Sequence, residues 1–241
     1  MKTNKTFIVG NGNLGSHLTA LFKVKNVPYT FLHRDEFDLL RKGDFVWLCV
    51  PDSAIKPLIQ ALQPKGVNLI YCSGALVLLE SWRDFVGVWY PLYSFRKGFP
   101  IDWNMVPVFI ETSSNTIQTY FKWLHVQFEI KYTELDSYGR KKRHLAAVFV
   151  NNFTNAILSA AEETLRDCTK EEISEALLPI ALQTIGRWSE NKAVNMQTGP
   201  AIRGDYDTIE LHLRELQTLP EEKEMYQALT KYIKQKIQQK V

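Results

Sequence analysis

Cysteine is scarce in this sequence, and the few cysteines present lack the spacing of a metal site. Three occur among 241 residues, Cys49, Cys72 and Cys168, and no two of them form a CxxC pair. Cys49 and Cys72 fall in apolar stretches with strand character, where a free cysteine acts as a small core residue. The sequence therefore predicts no metal site and fits a protein of the reducing cytosol.

Long hydrophobic runs are also missing. No apolar stretch approaches the roughly 18 residues that a membrane-spanning helix requires. The segment before Gly10 contains Lys2 and Lys5 but only the short apolar run Phe7-Ile8-Val9, which is too short for a secretory signal peptide. We therefore expect a cytoplasmic protein that makes no contact with a membrane.

The chain has no large excess of charge of one sign. It carries 29 basic and 26 acidic residues, a formal net charge of +3, and so lacks the basic bias of a nucleic-acid-binding domain. We expect no nucleic-acid partner. The one basic cluster, Arg140-Lys141-Lys142-Arg143, is interpreted as the solvated start of a helix or, alternatively, as an anion contact.

The clearest pattern that is present is a glycine-rich turn near the start of the chain. An apolar strand at residues 6–9 leads into Gly10-Asn11-Gly12-Asn13-Leu14-Gly15, and an apolar helix pattern follows. In a dinucleotide-binding turn the first glycine permits the tight turn, the second lets the backbone approach a pyrophosphate, and the third lets helix and strand pack closely. The alternative is a glycine-rich strand–helix turn without a ligand.

Strand and helix patterns alternate through the first half of the chain and then give way to helices alone. Strands are predicted at residues 6–9, 29–32, 45–50, 67–72, 86–90, 106–110 and 128–130, and helices at 13–24, 53–62 and 115–125. Helices are predicted in the second half at residues 137–166, 170–188, 207–218 and 221–238. The pattern indicates an α/β protein: a doubly wound parallel-sheet Rossmann domain at 1–133, followed by an all-helical domain at 134–241.

The residue after the second strand of a Rossmann unit determines whether NADP or NAD is preferred, since an arginine there accommodates the 2′-phosphate of NADP. This strand ends in His33-Arg34, followed by Asp35-Glu36. We therefore expect NADP. NAD is the less favoured alternative, with Asp35 or Glu36 on the ribose. The expected cofactor-binding residues are Gly10, Asn11, Gly12, Asn13, Leu14, Gly15, His33, Arg34, Val50, Pro51 and Ser73.

The predicted helix at residues 137–166 carries polar residues within an apolar stretch, as expected of a helix that lines an active-site cleft. At about 100° per residue, His144, Asn151 and Asn155 fall within about 40° of one another, and asparagine is a poor helix former. We interpret them as a catalytic set, with His144 as proton donor and the asparagines orienting substrate or nicotinamide. The alternative is a hydrogen-bond network between helices, for example at a dimer seam.

A second unusual segment, residues 197–205, interrupts the helical half. Arg203 is expected to bind a substrate carboxylate, with Thr198 beside it and Ser73 as a further substrate contact. The alternative is an interhelical loop in which Asp205 or Asp207 caps the next helix.

These motifs make the chain similar to a known family. It resembles the Rossmann-like NADP oxidoreductases with a C-terminal all-helical domain of unknown function. The resemblance rests on Gly10–Gly15, Val50-Pro51-Asp52, Cys72-Ser73-Gly74-Ala75, Tyr90-Pro91-Leu92, Asn151-Asn152-Phe153-Thr154-Asn155 and Thr198-Gly199-Pro200-Ala201 with Arg203. The wider superfamily includes pyrroline-5-carboxylate reductase, ketopantoate reductase, deazaflavin-dependent NADP reductase and 6-phosphogluconate dehydrogenase. The resemblance implies an NADP-linked reductase that is dimeric through its helical domain.

One position departs from that superfamily. Hydroxyacid dehydrogenases and ketopantoate reductases have a catalytic lysine four residues before an asparagine on this helix, where this chain has Ala147. Either His144 replaces the lysine, or the substrate is imine-like and needs less acid assistance, or catalysis has been lost. The sequence thus predicts hydride transfer to a small carbonyl or imine substrate, with a non-catalytic NADP-binding regulator or a dimeric scaffold with a vestigial pocket as alternatives.

Overall fold

The computed structural model describes residues 4–238, apart from the side chains of Arg34 and Ile237. The chain divides into two compact units, one ending at Asn152 and the other beginning at Phe153. The functional boundary expected between residues 133 and 134 stays a prediction.

The first unit contains a seven-stranded sheet. Its strands are β1 (Thr6–Val9), β2 (Thr30–Phe31), β3 (Phe45–Leu48), β4 (Asn68–Tyr71), β5 (Val86–Pro91), β6 (Val108–Glu111) and β7 (Tyr132–Glu134). They lie in the order β2-β1-β3-β4-β5-β6-β7. All neighbours are parallel except β5 and β6. The predicted doubly wound α/β fold is confirmed.

Helices cover both faces of this sheet, which explains why its central strands are apolar on both sides. The helices of the first unit are α1 (Asn13–Val24), α2 (Asp52–Leu62), α3 (Asn115–Phe128) and α4 (Ser137–Ala147). Buried residues of α2 pack with one face of the sheet, whereas those of α1 and α3 pack with the other. Because β1, β3, β4 and β5 are parallel neighbours, their carboxyl ends lie along one edge of the sheet.

Two strand predictions were wrong in their details. β6 runs antiparallel to β5, because residues 92–107 contain only the 3₁₀ turn Trp103–Met105 and no crossover helix of the kind a parallel connection needs. The strand predicted at 128–130 does not form there: Phe128 is the last residue of α3, and the next strand is β7 at Tyr132–Glu134. Phe128 stays helical and packs edge-on against Phe22 at 5.0 Å. Glu129 then adopts a left-handed φ of 58° that ends the helix.

A buried histidine, His125 on α3, is fixed in one tautomer by its two partners. The Trp89 indole N–H donates to Nε2 at 3.1 Å, and Nδ1 lies 3.0 Å from the Ile130 carbonyl oxygen. Since Nε2 accepts a hydrogen bond and a carbonyl accepts only from N–H, the proton belongs on Nδ1. Burial lowers the pKa of His125.

We expect the lowered pKa of His125 to make stability fall as the pH drops below about 6.5, where the unfolded chain protonates this residue but the native state does not. Above that pH the contribution is fully present. Urea unfolding at pH 7.5 and 5.5 measures the loss, and His125→Gln, which does not titrate, reduces it. An unchanged pH slope in this variant would contradict the assignment.

Every regular element in the described part of the second unit is a helix. Its helices are α5 (Thr154–Glu163), α6 (Lys170–Glu190), α7 (Pro200–Arg203), α8 (Tyr206–Glu215) and α9 (Pro220–Gln238). Thr169 and Glu172 form a capping box at the start of α6. Among the side chains that the structure describes from Phe153 to Gln238, only Ile209 and Leu216 are buried hydrophobic residues. This unit therefore lacks an apolar core of the size that its length would lead one to expect.

Candidate functional site

The glycine turn between β1 and α1 has the steric properties expected of a dinucleotide-binding turn. Gly10 has φ +100°, and a Cβ there would overlap the Cys49 carbonyl oxygen; a Cβ on Gly15 would overlap the carbonyl oxygen of Gly10. Gly12 is different, because a Cβ there meets nothing within 4 Å. Two glycines are thus required by the fold, whereas the one between them faces open space.

The rest of the turn presents backbone donors to that space. Asn11, Gly12 and Asn13 are exposed, while Leu14 is half-buried. α1 starts at Asn13 with no acidic residue in its first turn. The first N–H groups of a helix have no intrahelical acceptor, so the exposed start of α1 is suited to an anion. The turn therefore fits the diphosphate of a dinucleotide.

The residues expected to sort the cofactor follow β2 directly. His33 precedes the 3₁₀ segment Arg34–Leu39 and forms a capping box with Glu36. The Glu36 carboxylate accepts a hydrogen bond from the His33 backbone N–H at 2.8 Å. Glu36 is therefore already hydrogen-bonded within this capping box. The side chain of Arg34 lies outside the described part, so its role stays a prediction.

The ends of β3 and β4 meet beside the glycine turn. Pro51 caps α2, and a Cγ atom of Val50 would lie 3.2 Å from a Cβ on Gly10. The buried Ser73 hydroxyl donates to Asp52 Oδ2 at 2.7 Å and accepts the backbone N–H groups of Ala75 and Leu76 at 3.1 Å. Its proton is therefore engaged by Asp52 at the start of α2, and its expected contact with cofactor or substrate stays a prediction.

His144 lies in close contact with Tyr90 and Gly74. Tyr90 lies at the end of β5, and its hydroxyl oxygen is 2.9 Å from His144 Nδ1. A Cβ on Gly74 would lie 2.6 Å from Tyr90 Cζ and 2.7 Å from His144 Nδ1, so the pair fits only against glycine. Burial raises the pKa of Tyr90 to about 12. Tyr90 thus keeps its proton and can donate it to Nδ1, an arrangement that places an N–H of His144 on Nε2.

Arg140, one turn before His144, was misinterpreted from the sequence. It is 1% exposed, not solvated. Its guanidinium donates to the carbonyl oxygens of Ser73 and Leu76 and forms an ion pair with Glu111. These bonds tie α4 to the loop after β4 and thereby hold His144 in place. The sequence did not distinguish Arg140 from the other residues of the basic run. The three residues that follow it are exposed, as basic runs usually are.

Replacing Arg140 by alanine is expected to lower the free energy of unfolding by about 3–5 kcal/mol, because Glu111 is left as an uncompensated charge near the core. Arg143→Ala is the matched control. Arg143 is exposed, and the change should cost less than about 1 kcal/mol. Urea denaturation compares the two, and equal losses would show that the buried ion pair has no special role.

Asn151 and Asn155 lie on a helix that is not α-helical throughout. Asn151 belongs to the π-helical segment Val148–Phe153, whereas Asn155 lies in α5. Both are exposed. Because π-helical bonds join residues five apart, the angular spacing calculated for an uninterrupted α-helix does not apply here. Their catalytic role stays a prediction.

The segment around Thr198 and Arg203 forms a short turn of helix between two glycines. Gly199 has φ +106° and Gly204 has φ +68°, and α7 lies between them. Asp205 caps α8 by accepting the Thr208 N–H at 3.1 Å, as one interpretation predicted. Arg203 is 3.6 Å from Asp205 and largely exposed, as is Thr198. Binding of a substrate carboxylate by Arg203 stays a prediction.

Within residues 4–238 no cluster of three or more His, Cys, Asp or Glu side chains is arranged to hold a metal ion. No helix in the same range is both long and apolar enough to cross a bilayer.

The sequence profile of one family, described as Domain of unknown function (DUF2520), matches residues 106–233. The chain belongs to this family. BF3122 of Bacteroides fragilis, which is named a "putative NADP oxidoreductase", is 26% identical, with a TM-score of 0.81 over 96% of this chain and 98% of that one. The family match and the similarity to BF3122 thus confirm the resemblance inferred from the sequence motifs.

More distant structures share the fold. TM1727 of Thermotoga maritima is 21% identical, with a TM-score of 0.68 over 98% of this chain and 99% of that one. Pyrroline carboxylate reductase of Plasmodium falciparum, solved with NADP bound, is 12% identical, with a TM-score of 0.56 over 96% and 100% of the two chains. A comparison with curated proteins finds no match.

Proposed function

We propose that this DUF2520 protein is an NADP-dependent oxidoreductase that acts on a small carbonyl or imine substrate. The observation that carries the proposal is the glycine turn, where Gly12 faces open space between two sterically required glycines. Support also comes from relatives of the same fold: one carries an NADP oxidoreductase name and another was solved with NADP bound. A cytoplasmic location is part of this proposal.

NADP is the proposed cofactor, and NAD the less favoured one. The turn holds the diphosphate with Asn11, Gly12, Asn13 and Leu14, while Gly10 and Gly15 shape it. His33 and Arg34 follow β2, where an arginine accommodates a 2′-phosphate, and Glu36 is already bonded within its cap. Val50, Pro51 and Ser73 border the same edge of the sheet. The bound cofactor supplies the hydride.

His144 is the proposed proton donor. With the Tyr90 hydroxyl on Nδ1, the Nε2–H of His144 makes no hydrogen bond in the described part of the chain and is available to a substrate oxygen or nitrogen. Gly74 and Arg140 fix the position of the ring. Asn151 and Asn155 are proposed to orient the reactants, with Thr198 and Arg203 on a substrate carboxylate.

The test compares wild type with Arg34→Ala by titration with NADPH and NADH. Loss of a charge-assisted contact of about 1.5–3 kcal/mol predicts roughly 10- to 150-fold weaker NADPH binding and unchanged NADH binding. A panel of carbonyls and imines then tests turnover, and His144→Gln should retain binding while losing rate. A His144→Gln variant with full turnover would remove the acid assignment.

We also propose a homodimer formed through the helical unit. Five of the seven large hydrophobic side chains of α6, Leu178, Ile180, Leu182, Ile185 and Trp188, are each at least half exposed. Such a patch is uncommon on a monomer and typical of a protein interface. A second copy of this chain fits best, because the unit lacks a core of its own.

A non-catalytic NADP-binding regulator is the second candidate. Ala147 stands where hydroxyacid dehydrogenases and ketopantoate reductases of the similar superfamily carry a catalytic lysine, and this difference favours the regulator. NADPH binding without turnover of any panel substrate would support it. A scaffold with a vestigial pocket would bind neither dinucleotide.

A further inference from the structure

The loop that follows β5, residues 92–99, is fixed against the start of α1. The backbone N–H of Lys97 donates to Asn13 Oδ1 at 3.1 Å, and the Arg96 carbonyl oxygen lies 3.0 Å from His17 Nε2. The His17 and Phe95 rings are in contact, with centroids 5.5 Å apart. These contacts join the loop to the first two turns of α1, although it is some 80 residues away in sequence.

The contacts bring an unpaired cation to the glycine turn. Lys97 Nζ lies 3.5 Å from the Asn11 carbonyl oxygen. No carboxylate in the described residues forms an ion pair with Lys97, and the first turn of α1 contains no acid. The ammonium therefore adds its charge to the positive end of the helix dipole at the same exposed turn.

We infer that Lys97 is a cofactor-binding residue whose ammonium contacts the diphosphate held at the glycine turn. This rests on the proposed function. A lysine binds phosphate as a point charge on a flexible stem, so the 3.5 Å approach to Asn11 leaves donors for a phosphate oxygen. The diphosphate is common to NADP and NAD. Lys97 therefore adds affinity for both cofactors, whereas Arg34 is proposed to separate them.

Lys97→Gln tests this inference, because it removes the ammonium but keeps the backbone N–H that bonds Asn13. Arg96→Gln is the matched control. It removes one charge from the same loop, but the Arg96 guanidinium is stacked 4.7 Å above the Phe99 ring and not on the turn. Calorimetric titration with NADPH and NADH at low and at moderate salt measures binding without turnover.

We expect Lys97→Gln to weaken both dinucleotides about tenfold, and Arg96→Gln to weaken them less than about threefold. The effect should shrink as salt rises, because exposed charges are screened. Binding of both ligands as tightly as wild type would overturn the role of Lys97 and leave the proposed function intact. Weakening of NADPH alone would overturn it too, by assigning the cation to the 2′-phosphate. If wild type binds neither ligand, the proposed function itself fails.

Discussion

Gly12→Ala is expected to weaken NADPH binding about 100-fold or more while leaving the fold as stable as before. Gly12 has φ −76° and ψ −161°, which alanine adopts without strain, and its added methyl meets no protein atom within 4 Å. The methyl enters the space where the diphosphate must approach the backbone. Calorimetric titration measures affinity, and urea unfolding measures stability.

Gly15→Ala is the control that separates folding from binding. Its methyl would overlap the Gly10 carbonyl oxygen, and relief requires α1 to move away from the sheet. We expect a loss of at least about 2–3 kcal/mol in the free energy of unfolding. By contrast, Gly12→Ala should be neutral or gain about 0.4–1 kcal/mol, since alanine restricts the unfolded chain. Unchanged affinity in a folded Gly12→Ala variant would remove the turn from the ligand site.

Ile185→Asp is expected to break the proposed dimer, raising its dissociation constant at least about 100-fold. Ile185 is 57% exposed in the single chain, and we place it in the dimer interface. A carboxylate there would be buried without a partner in both subunits, which costs several kcal/mol. Size-exclusion chromatography with light scattering should report twice the chain mass for wild type and a mixture shifted to the single mass for the variant.

Gln183→Asp is the matched control on α6. Gln183 is polar and exposed, so it places the same charge on the same helix without removing apolar area. It should remain dimeric. Dissociation of both variants would indicate a general charge effect, and a monomeric wild type would remove the proposal. A monomer would also leave the exposed apolar side chains of α6 without an explanation.

The local elements were largely predictable because each had a local cause. β1 and α1 have the predicted bounds. The glycine turn separates the apolar pattern of a strand from the apolar pattern of a helix, which repeats every 3.6 residues. The direction of β6 was not predictable, because it depends on whether the preceding connection forms a crossover helix. The end of α3 was misplaced because an aromatic residue such as Phe128 suits a strand as well as the helix face that it occupies.

The site was only partly predictable. The sequence singled out the glycines and His144 because their residue types are unusual in their local pattern. The contact among Gly74, Tyr90 and His144 was missed, since it joins three elements that are far apart in sequence. Arg140 and Lys97 were missed for the same reason. A buried ion pair and a loop fixed on a distant helix leave no periodic signal.

The most direct test of the account is a calorimetric titration of the wild-type protein with NADPH, run beside NADH. We predict micromolar binding of NADPH and weaker binding of NADH, because we propose that the glycine turn receives the diphosphate and that Arg34 receives the additional 2′-phosphate. No binding of either dinucleotide would contradict the account, and the glycine turn would then be a structural feature without this ligand.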